Sequence, residues 1–333
     1  MNGEKPYEFV GFPSKRPDRK SGVGQDQIQR DLLSGTLELT METLTPVHVG
    51  SGYTDFVKAG NQEYLAALQA SKRVRDNATV RRRYLIPGSS IKGAVRSIVE
   101  AITASCVRIV QNKYRSYLPN GYAGCSKVDS LCLACRLFGA QDYQGHVSIE
   151  DAVAPPGSLV LIGTPLLWTP ARGTRGLPPR YLDSDDRASG RKFYAHAKPA
   201  QGPDPRTCIK TGTQLPLRIH FINLSEAELG VLLTALGLHP QYRFPLKLGG
   251  GKPVGLGSVK LTLNALRLLH GDQAIQQTGR LAQATVLEGN PLEQRVKQYT
   301  KNASELLDSE ALQALANVLA EEGLNNPAPA DPY

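Results

Sequence analysis

The chain has 333 residues, 41% of them hydrophobic, and a formal net charge of +9. This length buries a substantial core in one large domain or two, no apolar run is long enough to cross a membrane, and the start lacks the apolar stretch of a secretion signal. Five unevenly spaced cysteines exclude a secreted disulfide framework, so the sequence reads as cytoplasmic, with a positive surplus suited to a polyanionic partner.

Residues 1–33 are polar, carry Pro6, Pro13 and Pro17, and predict an irregular arm. Residues 36–41 alternate with period two, the pattern of a half-buried strand. Gly50 and Gly52 end that strand, and residues 53–83 read as a long loop or insertion. Within it Lys72, Arg73, Arg75, Arg81, Arg82 and Arg83 fall inside twelve residues, opposed only by Asp76. A phosphate-binding face and a solvated charged loop both fit this run.

A short strand at 84–86 turns at Pro87 and Gly88, after which Ser89 or Ser90 can cap a helix. Ile91, Val95, Ile98, Val99 and Ile102 form one apolar stripe on that helix. Lys92 and Arg96 lie off the stripe, four residues apart. Two cations near a helix start oppose the dipole unless an anion lies between them, which makes them candidate phosphate contacts; a solvated face is the other reading.

Cys125, Cys132 and Cys135 follow. A CxxC pair with a third cysteine upstream is a start for a structural zinc site, and Cys106 is the best fourth ligand. His48 and His146 are alternatives, and Cys208 is distant in the chain. A redox pair or plain buried thiols are the rival readings.

Residues 146–153 and 158–168 read as strands, 170–206 as an extended excursion, and 216–222 as another alternating strand. Ser225 and Glu228 form a capping box opening a helix to about Leu238. The run 246–260 holds Lys247, Gly249, Gly250, Gly251, Lys252, Gly255, Gly257 and Lys260. It lacks the Walker A pattern because Pro253 follows Lys252. A phosphate cradle and a tight charged turn both fit. A closing strand spans 258–269, a helical signal runs from 273, and the chain after 325 reads as disordered.

The order of elements predicts an α+β, ferredoxin-like sandwich over 34–270, with long insertions and a helical extension at 271–325.

Four segments in order carry a resemblance: residues 45–52, residues 86–93, residues 132–139 and the glycine run 249–257. Together they resemble the RAMP superfamily, the RNA-binding proteins of CRISPR effector complexes. The nearest likeness is to backbone subunits of type III complexes. Residues 7–10 and 191–194 are similar to a lineage of these proteins with longer insertions.

The resemblance implies a modified RNA-recognition-motif palm that polymerises along a guide RNA (crRNA) without reading its sequence. The cysteine spacing places a zinc knuckle at about 106–139, and the resemblance places a β-hairpin thumb at about 165–205. His48, Ser51, Ser89, Ser90, Lys92, Arg96, Arg191, Lys192, Lys247, Gly249, Gly250, Gly251 and Lys252 are its candidate RNA contacts. It implies a target RNA and other effector subunits, including a large polymerase-like subunit, as partners. Active members cut target RNA with an aspartate and a divalent cation, Mg2+ or Mn2+. Residues 68–74, where that aspartate is expected, contain none. Asp55 is the fallback candidate, and Asp76 matches an aspartate without a catalytic role. Two alternatives stand beside this reading. One is a metal-independent transcript-processing nuclease with His48 as base. The other is a zinc-containing RNA-binding module of another system.

Overall fold

The structure, a computed structural model, describes residues 6–76, 79–167, 177–269 and 285–329. Its spine is β2 (Leu33–Thr43), whose alternation buries Leu37, Leu39 and Met41 on one face. β2 pairs antiparallel with β12 (Gln214–Leu224) on one side and β14 (Ser258–Leu269) on the other. The register sets Leu39 opposite both Leu217 and Leu263, so three strands contribute apolar side chains to one face. β7 (Val147–Ile149) continues the sheet beyond β12, β13 (Leu246–Lys247) continues it beyond β14, and β15 (Thr285–Leu287) pairs with the far part of β14.

Two helices lie between these strands in the chain. On α1 (Gly88–Ile102) the predicted stripe of Ile91, Val95, Ile98, Val99 and Ile102 is buried. α3 (Glu226–Ala235) opens on the predicted capping box: Ser225 accepts from the Glu228 N–H, and Glu228 accepts from Ser225 N–H. It ends three residues before Leu238. The short α2 (Leu133–Phe138) begins within the CxxC pair, with Cys132 at its N-cap and Cys135 inside the helix. At the far end, α4 (Gly289–Asn302) packs on α3, and α5 (Ser309–Val318) packs on α1. Residues 270–284, where the helical extension was expected to begin, lie outside the described residues. The fold is therefore a mixed α+β body with several sheets, a cysteine cluster and C-terminal helices.

Three segments differ from expectation. Residues 53–76 and 79–83 belong to two β-hairpins, not a loop. β3 (Gly50–Ala59) pairs with β4 (Gln62–Gln69), and β5 (Ser71–Asp76) pairs with β6 (Thr79–Ile86). Both are solvent-exposed over most of their length, so no in–out alternation marked them. β4 joins β11 (Asp204–Ile209), which pairs with β9 (Leu159–Thr164), and β6 joins β8 (Ala152–Val153).

The N-terminal arm is not wholly irregular. β1 (Tyr7–Val10) pairs antiparallel with β10 (Arg191–Tyr194), which joins the two segments of the long-insertion likeness in one ribbon. Of the expected thumb at 165–205, residues 168–176 lie outside the described residues.

The tail is also held further than expected. Lys198 N–H donates to Asn326 O at 2.7 Å, and Ala328 N–H donates to Lys198 O at 2.9 Å.

Candidate nucleic-acid interface and metal centre

The glycine run folds back on the segment that follows β2. Gly250 N–H donates to His48 O at 2.8 Å, and Gly257 N–H donates to Pro46 O at 2.9 Å. Gly249 has φ 72°, and a Cβ there would stand 2.2 Å from His48 O. Gly257 has φ 85°, and its Cβ would stand 1.9 Å from Leu248 O. Both positions require glycine for conformation and for space. The His48 segment and the glycine run, two of the four motifs, thus share one backbone-lined turn.

His48 is buried, and its Nδ1 donates to Thr207 O at 2.8 Å. Burial is the main cause holding its pKa below the ordinary value. A neutral imidazole with a protonated Nδ1 keeps Nε2 as an acceptor.

Lys247 is 7% exposed, and its ammonium donates to Ser258 Oγ at 3.0 Å. Ser258 Oγ lies 2.8 Å from His196 Nδ1, and His196 Nε2 donates to Pro245 O at 3.2 Å. The tautomer follows: Nε2 carries the proton, and Ser258 donates to Nδ1. Burial, reinforced by Lys247, holds the His196 pKa at about 3, so the ring is neutral. Burial, reinforced by the Lys252 cation, lowers the Lys247 pKa to about 7. Burial also lowers that of Lys252. Neither lysine has a carboxylate partner among the described residues. Lys247 is buried and Lys252 half-buried; cations withdrawn from water without counter-charge are costly, and an incoming anion relieves that cost.

The cations of α1 and β10 are placed differently. Pro87 holds the N-cap position of α1, and neither Ser89 nor Ser90 caps it. The helix begins earlier than the serines require, so both sit inside its first turn. Asp151 supplies the anion instead: its Oδ1 accepts from Gly88 N–H at 3.0 Å, and its Oδ2 pairs with Lys72 at 3.2 Å. The Gly88 hydrogen bond, then the Lys72 contacts, hold the Asp151 carboxyl below its usual range.

Lys92 donates to Val147 O at 2.6 Å. Arg96 donates to Glu100 at 2.8 Å, Gly139 O at 2.7 Å and Cys135 Sγ at 3.3 Å. Arg191 donates to the other Glu100 oxygen at 2.9 Å, and to Ser105 O and Cys106 O at 2.8 and 3.1 Å. The Lys192 ammonium lies 3.9 Å from the centre of the Tyr7 ring. The expected contacts thus separate. His48, Lys247, Gly249, Gly250, Gly251 and Lys252 come together in one turn. Lys92, Arg96, Arg191 and Lys192 are engaged within the protein.

The sulfurs of Cys106, Cys125, Cys132 and Cys135 all lie within 4.8 Å of one another, and all four residues are buried. Cys106 Sγ is 3.6 Å from both Cys132 Sγ and Cys135 Sγ. A tetrahedral zinc with Zn–S bonds of about 2.3 Å separates its sulfurs by about 3.8 Å, so the residues fit that ion. The Cys132 N–H donates to Cys125 Sγ at 3.2 Å. Such contacts suit thiolate ligands. Cys106 lies beyond the end of α1 rather than late on it. The alternative ligands lie elsewhere: His146 bonds Tyr143 and Ile222, and Cys208 is packed with Val254 and Leu256.

Ser51 and Asp55 lie on β3, in a groove of about 850 Å³ shared with Arg82 and Tyr84 of β6. Asp55 is exposed, and its Oδ1 accepts the neighbouring Phe56 N–H at 2.8 Å. Sequence reasoning missed Glu100 and Asp151. The i, i+4 spacing of Arg96 and Glu100 was a readable signal; the contact of Asp151 with Gly88 spans 63 positions and left none.

No curated protein matches the chain. The sequence model of the RAMP superfamily matches residues 40–260, from within β2 to within β14. That span includes the glycine run, the four cysteines and both exposed hairpins. The chain therefore belongs to the RAMP superfamily, whose members bind RNA in CRISPR-associated assemblies.

Proposed function

We propose that the chain is a guide-RNA-binding backbone subunit of a type III CRISPR ribonucleoprotein, with its primary RNA contact at the glycine run. The observation that carries this reading is the pair Lys247, buried, and Lys252, half-buried, without carboxylate partners among the described residues. A phosphate chain laid along the glycine run supplies the missing anion. The sheet order β14-β2-β12-β7, with α1 after β2 and α3 after β12, supports a ferredoxin-like palm beneath that turn.

Zinc held by Cys106, Cys125, Cys132 and Cys135 cross-links the connection after α1 and leaves no open coordination position for chemistry. Asp55 is the carboxylate this reading offers for cleavage of target RNA with Mg2+ or Mn2+. It is exposed in the hairpin groove, with its Oδ1 accepting from Phe56 N–H. For the nuclease alternative, the His48 ring has no second acid–base side chain hydrogen-bonded to it among the described residues.

The test is purification of the chain with its neighbouring gene products, followed by sequencing of bound nucleic acid. Repeat-derived guide RNA together with a large polymerase-like subunit is the expected result. A nucleic-acid-free chain, or RNA without repeat sequence, overturns the reading.

A further inference from the structure

The arginine-rich run of the sequence is not used by the glycine turn, and its placement is unusual. In the β5–β6 register Lys72 stands opposite Arg83, and Arg73 stands opposite Arg82. Like charges directly across an antiparallel pair destabilise it. Lys72 is offset by Asp151. Arg73, Arg75, Arg81, Arg82 and Arg83 have no ion pair among the described residues. Two consecutive like-charged rungs break a rule of strand pairing, and such breaks occur at functional sites.

The adjacent hairpin supplies the complementary feature. Tyr53 is 75% exposed and Phe56 is 67% exposed. Phe56 stands across from Leu65, itself exposed, so the β3–β4 hairpin presents a bare apolar rung. Tyr53, Phe56, Arg82 and Tyr84 all belong to the lining of the groove between the hairpins. Exposed aromatic rings on one hairpin and guanidinium groups without ion pairs on its neighbour suit a strand with alternating flat bases and phosphates. An acidic protein surface satisfies the arginines and leaves the rings without a role.

We propose that the β3–β4 and β5–β6 hairpins form a second RNA-holding surface, separate from the glycine turn, that takes single-stranded RNA with its bases unstacked. Bases stack on Tyr53 and Phe56, and Arg73, Arg75 and Arg82 hold the phosphates. The inference rests on the RNA-binding reading above, and its test separates the two.

The test uses the full chain and fluorescein-labelled oligouridine, read by anisotropy across a salt series and by ultraviolet crosslinking with peptide mapping. Two variants carry it: Tyr53→Ser with Phe56→Ser, and Arg73→Ser with Arg75→Ser and Arg82→Ser. All five side chains are exposed, so the fold is retained, which circular dichroism checks. Crosslinks in peptides containing Tyr53 or Phe56 are expected. The aromatic variant is expected to bind about tenfold to a hundredfold more weakly. The arginine variant is expected to lose about 2 from the steepness of log affinity against log salt. Wild-type RNA binding with no hairpin crosslinks, and with both variants unchanged, overturns this inference and leaves the glycine-turn reading standing. No RNA binding by the wild type sinks both. Polyglutamate bound as tightly as oligouridine overturns the stacking role.

Discussion

Arg96 and Arg73 are the same residue type in one basic chain, and their surroundings are opposite. Arg96 is fully engaged with Glu100, Gly139 O and Cys135 Sγ, while Arg73 stands exposed across from Arg82 with no ion pair among the described residues. The first region holds the cysteine cluster and the β1–β10 ribbon to α1. The second presents charge to solvent. Lys247 and Lys252 form an intermediate case, because they are withdrawn from solvent, Lys247 fully and Lys252 in part like Arg96, and lack a carboxylate like Arg73. A cation's place in the sequence therefore does not give its role. Counter-charge and burial do.

The largest effect expected from breaking this comparison is at the metal centre. One zinc per chain is expected by elemental analysis. Cys132→Ser, or removal of the metal by a strong chelator, should lower the melting temperature more than any substitution below. Four buried thiols without their ion leave the connection after α1 without its cross-link. A metal-free chain of normal stability contradicts this.

Next in size is the Arg96–Glu100–Arg191 network. Arg96→Met or Arg191→Met leaves the buried Glu100 carboxylate short of a partner, at a cost of about 3–5 kcal/mol in urea unfolding. The salt dependence of RNA binding by the folded variant should match that of the wild type. A lowered salt slope returns these arginines to the interface.

Lys247→Met should act in the other direction. A folded pKa of about 7 against an ordinary 10.5 means the buried ammonium opposes folding most below pH 7. That opposition fades as pH rises toward 10.5. The variant should therefore gain stability relative to wild type, and the gain should be larger at pH 6 than at pH 9, by about 2 kcal/mol. RNA affinity of the wild type should fall as pH rises through 7, because the bound anion favours the charged lysine. A gain that does not change with pH contradicts the account.

The smallest contrast is at the start of α1. Asp151→Ala should cost about 1 kcal/mol, and Ser89→Ala less than about half of that, because the carboxylate and not the serine meets the Gly88 N–H. Equal costs in thermal unfolding point to a serine cap.

The spine of the fold was legible because one face of it is dry. The alternation of 36–41, 216–222 and 258–263, and the stripe of α1, all follow from burial against a core. The capping box at Ser225 was legible because its two halves are local. The hairpins at 50–86 were not, since strands wet on both faces carry no apolar period. The cysteine centre was readable from the spacing of Cys125, Cys132 and Cys135, and Cys106 completes it in space. The grouping of the candidate RNA contacts was readable in part. Glycine-rich backbone identified the turn at 249–257, but the engagement of Arg96 and Arg191 depends on partners up to 91 positions away.

The central claim is that Lys247 and Lys252, behind the glycine run, form an anion site that holds RNA. The most direct test measures single-stranded RNA affinity against salt at pH 6.5 for wild type and for Lys247→Met with Lys252→Ser. The account predicts at least about tenfold weaker binding and a salt slope shallower by about 1.4, the share of two phosphates on a single strand. Two superimposable salt lines from folded proteins contradict it.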